Sequence, residues 1–105
     1  KIAAPQYLAD RGIAIAYRDL KEYSRALDYA NRAIKGTPDN PELYYLKAQI
    51  LREMGRGGKS QEFLRDAIAN FDKALTKKSQ LPASLVKQIE RERTSAVNQL
   101  NNSGR

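Results

Sequence analysis

The chain has no cysteine and no histidine, and the two absences remove much of the chemistry a small protein can perform. Without cysteine there is no disulfide and no thiolate metal site, and the compartment stays open, since such a chain suits reducing and oxidising surroundings equally. Without histidine the usual general base near neutral pH and the commonest nitrogen ligand for zinc are both missing. No apolar run is long enough to cross a bilayer, and residues 1–5 lack the apolar core of a signal peptide. The first residue is Lys1 rather than Met, which suggests a piece of a longer protein. No aromatic residue follows Phe71, so the C-terminal third has no ring on which a base could stack.

What is present is ordinary for a folded domain: 105 residues, 41% hydrophobic and 30% charged. That is too apolar for a disordered chain and large enough for one core. The net charge of +7 is uneven, with +2 over residues 1–40, +1 over 41–76 and +4 over 77–105. Ala, Leu, Lys, Arg, Gln and Glu dominate, while Gly and Pro gather at breaks, which predicts helices throughout. The breaks place helices at about Pro5–Leu20, Glu22–Lys35, Pro41–Gly55, Ser60–Lys78 and Pro82–Asn101. Gly36 is expected as a left-handed cap, Asn40 as an N-cap before Pro41, and Ser60 as the cap of the fourth helix.

The chain also matches itself. Ala14 and Ala48 are 34 residues apart, as are Tyr17 and Leu51; Ala26 and Ala67, Leu27 and Ile68, Ala33 and Ala74, and Ile34 and Leu75 are each 41 apart. The second unit therefore carries seven extra residues between Gly55 and Phe63, predicting a longer loop and a longer fourth helix. Small residues at these spacings let paired helices approach closely while large neighbours fill the volume around them.

At Ala14, Tyr17, Leu20, Tyr23, Ala26, Ala33 and Pro38, and again at Tyr44, Ala48, Leu51, Gly55, Ala67, Phe71 and Ala74, the sequence resembles the tetratricopeptide repeat (TPR) family. The resemblance implies an all-α solenoid of five helices: two helix-turn-helix units, residues about 7–40 and 41–81, and a C-terminal capping helix, about 82–101. Three positions depart from the pattern: Asp10 where the second unit has Tyr44, Ala30 where it has Phe71, and Lys21 where it has Gly55. Tyr29 is a candidate for the missing ring. In the fifth helix Leu85, Val86, Ile89, Ala96, Val97 and Leu100 make an inward stripe broken at Arg93, expected to bury against the fourth helix alone.

Motifs for chemistry are weak. Gly57-Gly58-Lys59-Ser60 precedes a helix as a phosphate loop does, but the leading glycine of that motif would fall on Glu53, and a helix rather than a strand comes before it. Glu22, Glu53, Glu90 and Glu92 read as solvated carboxylates rather than an acid–base pair, and Glu53, Glu62 and Asp66 near the insertion have no spacing suited to a calcium loop. Lys77, Lys78, Lys87, Arg91 and Arg93 form the only basic patch, interrupted by Glu90 and Glu92, so nucleic acid is a distant reading. No enzyme, cofactor or metal is expected.

In the TPR family the first helix of each unit lines a concave surface. Carried onto this chain, that geometry sets Leu8, Arg11, Ile15 and Arg18 beside Tyr45, Leu46, Gln49 and Arg52, with Gly12, Asp19, Glu42 and Glu53 among them. Ile15, Tyr45 and Leu46 are expected to be exposed there without serving the core, and the arginines to favour acidic groups. The resemblance thus implies a scaffold for a protein or peptide partner, with self-association through the solenoid ends, as a homodimer, the alternative. The carboxylate clamp that some family members use on chaperone tails would place its basic sites on Arg11, Ala83 and Lys87 and its asparagines on Ile15 and Leu46; three of the five are lost, so that partner is not implied.

Overall fold

The computed structural model describes residues 5–56 and 61–103, and these form five α-helices with no strand among them: α1 (Gln6–Asp19), α2 (Tyr23–Gly36), α3 (Pro41–Met54), α4 (Gln61–Thr76) and α5 (Ala83–Ser103). A 3₁₀ turn, Lys78–Gln80, precedes α5. The start of α3 follows the expected chemistry. Asn40 accepts a hydrogen bond from the Glu42 amide at 3.0 Å, and Pro41 occupies the first helical position, where a missing N–H costs nothing. The proposed Ser60 cap and the Gly57–Lys59 connector lie outside the described residues. Helix α4 has 16 residues against 14 in each of α1, α2 and α3.

One glycine expectation is corrected, and Gly55 ends α3 as expected. Gly36 does not take a left-handed cap; it is the last helical residue of α2, and Thr37 closes the end by donating to the Ala33 and Ile34 carbonyls. The left-handed conformation belongs instead to Lys21, with φ 63°. There Lys21 donates to the Arg18 carbonyl and Glu22 to the Tyr17 carbonyl, both at 2.9 Å, the pairing by which a left-handed residue satisfies the last carbonyls of a helix. Gly55, which matches Lys21 in the repeat, has an ordinary φ of −87°. Its small size is needed for another reason: a Cβ there would lie 2.8 Å from Leu64 Cγ.

Successive helices pack as neighbours, α1 on α2, α2 on α3, α3 on α4 and α4 on α5, giving an elongated stack of 56 × 30 × 19 Å. Ala14, Ala26, Ala33, Ala48, Ala67 and Ala74, the small residues of the repeat, have no exposed surface. One core cluster gathers Ala14, Ala26, Ala30, Leu46 and Ile50; another gathers Tyr45, Ala48, Leu51, Ala67, Phe71, Ala74, Leu81, Ile89 and Ala96. Leu27 and Met54 touch both, so the two units share one interior. Tyr29 does supply a ring to the first unit, 5.8 Å from that of Tyr17. Asp10 is buried, with Gln6 Nε2 3.5 Å from its carboxylate.

The inward stripe of α5 is as expected at its centre. Ile89 and Ala96 are fully buried, Leu85, Val86, Val97 and Leu100 half-buried, and Arg93 turns to Asp72 of α4 at 2.5 Å. The expectation that α5 rests on α4 alone is corrected, because Gln88, Glu92 and Gln99 reach across to Tyr45, Gln49 and Arg52 of α3. Enlarging either helix-contact alanine, Ala14→Leu or Ala48→Leu, is expected to cost about 1 to 3 kcal/mol by overpacking. Gly55→Ala is expected to destabilise as well, through Leu64. Urea titration checks all three, and a neutral Ala48→Leu would contradict this helix pairing.

Candidate functional site

Helices α1, α3 and α5 place their inner faces side by side, and two adjoining clefts run along them. The first, of about 310 Å³, is lined by Arg11, Ile15, Arg18, Glu42, Tyr45, Leu46, Gln49, Leu85 and Gln88. The second, of about 320 Å³, is lined by Arg18, Asp19, Tyr23, Gln49, Arg52, Glu53 and Glu92. Helical spacing accounts for the grouping: Arg11, Ile15 and Arg18, like Tyr45, Gln49 and Arg52, recur every three or four residues and so share one side of their helices. Seven of the eight residues expected on this face line one cleft or the other. Leu8 does not; it is 44% exposed on α1 and lines neither.

The burial of two of them differs from expectation. Tyr45 is only 9% exposed and Leu46 only 4%, so both are core residues whose edges floor the cleft. The Tyr45 ring lies 6.2 Å from that of Phe71. Its hydroxyl donates to Glu92 Oε2 and accepts from Gln88 Nε2 at 2.9 Å, while Gln49 Nε2 donates to Glu92 Oε1 at 3.2 Å. Burial first, then the hydrogen bond and charge of Glu92, hold the phenol well above its ordinary pKa of 10.0. Tyr45 is therefore a permanent donor at physiological pH. Ile15 and Leu85 remain half-buried, and they are the apolar groups that this face offers to solvent.

Nor is the face simply basic. Arg11 lies 3.8 Å from Glu42; Arg18 donates to Gln49 at 2.9 Å and to Asp19 at 3.3 Å; Arg52 donates to Gln99 at 3.2 Å. Each arginine is thus held in place by a partner of its own chain, leaving further donors of its guanidinium for a ligand. The contribution of α5, through Leu85, Gln88, Glu92 and Gln99, was missed in sequence because Ile89 and Glu92 break the repeat pattern where the third inner helix should follow it. Lys87, the nominal clamp position, faces away and lines the opposite side of α5 with Glu90 and Arg91. Among the described residues no group of acidic side chains is arranged to hold a metal ion, and no helix is long and apolar enough to cross a membrane.

Sequentially stacked helix hairpins, with alanines at the crossings and alternate helices lining one face, define a helical-repeat protein. Residues 17–81 match the tetratricopeptide repeat family, and the chain belongs to it. It is also 34% identical over 101 residues to the human (Homo sapiens) protein described as "N-alpha-acetyltransferase 16, NatA auxiliary subunit", and 33% identical over 101 residues to its mouse (Mus musculus) counterpart. These matches cover 85% of this chain but only 12% of either relative. No solved structure matches at a significant level.

Two substitutions separate the two roles of Tyr45. Tyr45→Ala empties core space and is expected to cost about 3 to 5 kcal/mol, as for other buried rings. Tyr45→Phe keeps the packing but removes the hydroxyl that donates to Glu92 and accepts from Gln88, at about 1 to 3 kcal/mol. Because the folded-state pKa is raised, the phenol's stabilising contribution is complete below pH 10.0 and declines as pH climbs above it. Lys47, lowered chiefly by burial and next by Lys73, acts in the opposite direction but is common to both proteins. Urea midpoints measured against pH are expected to fall more steeply above pH 10 in the parent than in Tyr45→Phe; identical profiles would contradict the assignment.

Proposed function

We infer that this chain is a non-catalytic scaffold segment whose concave face holds another protein, and that the partner is a subunit of an N-alpha-acetyltransferase assembly of the kind to which the relatives are auxiliary. The observation that carries this reading is the composition of the first cleft. Half-buried Ile15 and Leu85 lie between Arg11 with Glu42 on one side and Arg18 with Gln49 on the other. Apolar groups ringed by pre-positioned charges suit a protein segment that brings an apolar anchor and flanking acidic groups. They offer nothing that would activate a nucleophile or polarise a small substrate. The printed description of the relatives as auxiliary subunits supports the same reading, since such a subunit works through contact with other chains.

The buried state of Tyr45 and Leu46 shifts the anchor to Ile15. Arg11, Arg18 and Arg52 steer an acidic segment and set its orientation, while Gln49 is a neutral donor and acceptor between them. Charges of this partly exposed kind govern encounter rate and salt dependence more than affinity.

The test is calorimetric titration of the purified catalytic subunit of an N-alpha-acetyltransferase complex into this chain. Ile15→Glu is expected to weaken binding by about tenfold or more, equivalent to about 1.4 kcal/mol, with the helical signal unchanged. Arg18→Ala is expected to slow association most at low salt. Lys78→Ala with Arg91→Ala, away from the clefts, is expected to bind as the parent does. Normal binding by Ile15→Glu together with loss in the Lys78/Arg91 variant would move the site to the basic C-terminal surface.

A further inference from the structure

The side of the stack turned away from the concave face carries a cleft of its own. Its volume is about 400 Å³, within the range of about 300 to 1,000 Å³ usual for ligand sites, and α2, α3 and α4 all contribute to it. Lys47 lines it, standing on α3 midway between Tyr45 and Gln49. A step of two residues turns about 200° round a helix, so the Lys47 side chain leaves α3 on the far side from theirs. Helices α2 and α4 are each packed between two neighbours, so the cleft belongs to the middle of the stack rather than to an end.

Its polar groups do not serve packing. Asn70 of α4 lines the cleft and is only 6% exposed; its Nδ2 donates to the Asp66 carbonyl at 2.8 Å, while its Oδ1 has no hydrogen-bond partner among the described residues. A buried acceptor without a donor is destabilising. In the repeat Asn70 matches Tyr29, 41 residues earlier, whose ring packs against Tyr17, so the second unit has an amide where the first has a packed ring. Lys47 and Lys73 line the same cleft, and among the described residues neither forms an ion pair. Burial first, and next the charge of Lys73, hold the Lys47 ammonium below its ordinary pKa, while Asp66 on the same rim pulls the other way. Beside these groups lie Leu27, Leu51 and Phe63.

Two ammonium groups call for an anion, the Asn70 oxygen for an N–H donor, and the apolar residues for an aliphatic neighbour. A simple anion meets the first requirement alone. A peptide with an acidic side chain meets all three. We propose that this cleft is a second binding site, for an extended acidic peptide segment whose carboxylate sits between Lys47 and Lys73 and whose backbone N–H donates to Asn70 Oδ1. That oxygen is covered in this structure, so binding turns the Asn70 amide toward the cleft; the Asp66 carbonyl keeps its helical amide partner as it does so. The site is separate from the concave clefts and does not depend on the partner inferred there.

The test is an NMR titration of the whole chain with a capped tripeptide, acetyl-Leu-Glu-Leu-amide, and with its glutamine counterpart. The glutamate peptide is expected to give saturable shifts at the Asn70 side-chain amide, Lys47 and Lys73. It is also expected to bind about tenfold more tightly than the glutamine peptide, the worth of one charge-assisted contact. Lys47→Met keeps the aliphatic stem without the charge and is expected to lose most of that preference. Asn70→Leu removes the buried acceptor and is expected to raise the melting temperature while weakening both peptides alike, a combination that damage to the fold would not produce. Ile15→Glu, in the concave face, is expected to bind the glutamate peptide as the parent does. Equal affinity for the two peptides, an undiminished preference in Lys47→Met, unaltered binding by Asn70→Leu, or shifts confined to Ile15 and Gln49 would each overturn the proposal. Acetate or inorganic phosphate binding as tightly as the glutamate peptide would overturn it too, reducing the cleft to a site for an adventitious ion only.

Discussion

The concave surface depends on a single tyrosine that belongs to two places at once. The ring of Tyr45 is part of the core, against Phe71 of α4, and its hydroxyl emerges from that core to meet Glu92 of α5. Through this residue the packing of α3 on α4 sets where α5 lies relative to α3, and so the width of the groove that α1, α3 and α5 line together. A hydrogen bond to a charged group in partly desolvated surroundings is worth more than one between neutral exposed groups. Gln49 and Gln88 add to it by donating to the same carboxylate. Arg18 then binds Gln49, so α1 is joined to α5 through a chain of polar contacts over the inner surface.

The fold could be read from the sequence because its cause is local and periodic. Alanines at offsets of 34 and 41 mark helix crossings that the structure buries completely, and Asn40-Pro41 starts α3 by a capping bond that needs no tertiary context. Glycines were harder to assign, since a glycine serves either a backbone conformation or a close approach and the residue itself does not say which. Gly55 turned out to serve Leu64, and the left-handed turn fell to Lys21.

The candidate site was legible as a direction but not as an environment. Helical spacing placed Arg11, Ile15, Arg18, Gln49 and Arg52 on one face, and the structure keeps them together. What covers that face is a long-range matter: Glu92 is 47 residues from Tyr45, in a helix whose pattern departs from the repeat. The burial of Tyr45 is completed by that helix, and that of Leu46 by Ala14, Ala26 and Ala30 of α1 and α2, so neither could be seen along its own helix alone.

The central claim is that the Tyr45–Glu92 contact fastens α5 into the concave surface. A double-mutant cycle with Tyr45→Phe, Glu92→Gln and their combination, read by urea denaturation at neutral pH, measures it directly. The account predicts non-additivity of about 0.5 to 3 kcal/mol, the double variant being less damaged than the two single losses together would make it. Additive losses, agreeing to within about 0.3 kcal/mol, would mean that the two side chains stabilise the protein independently and that their contact does not fasten α5 to α3.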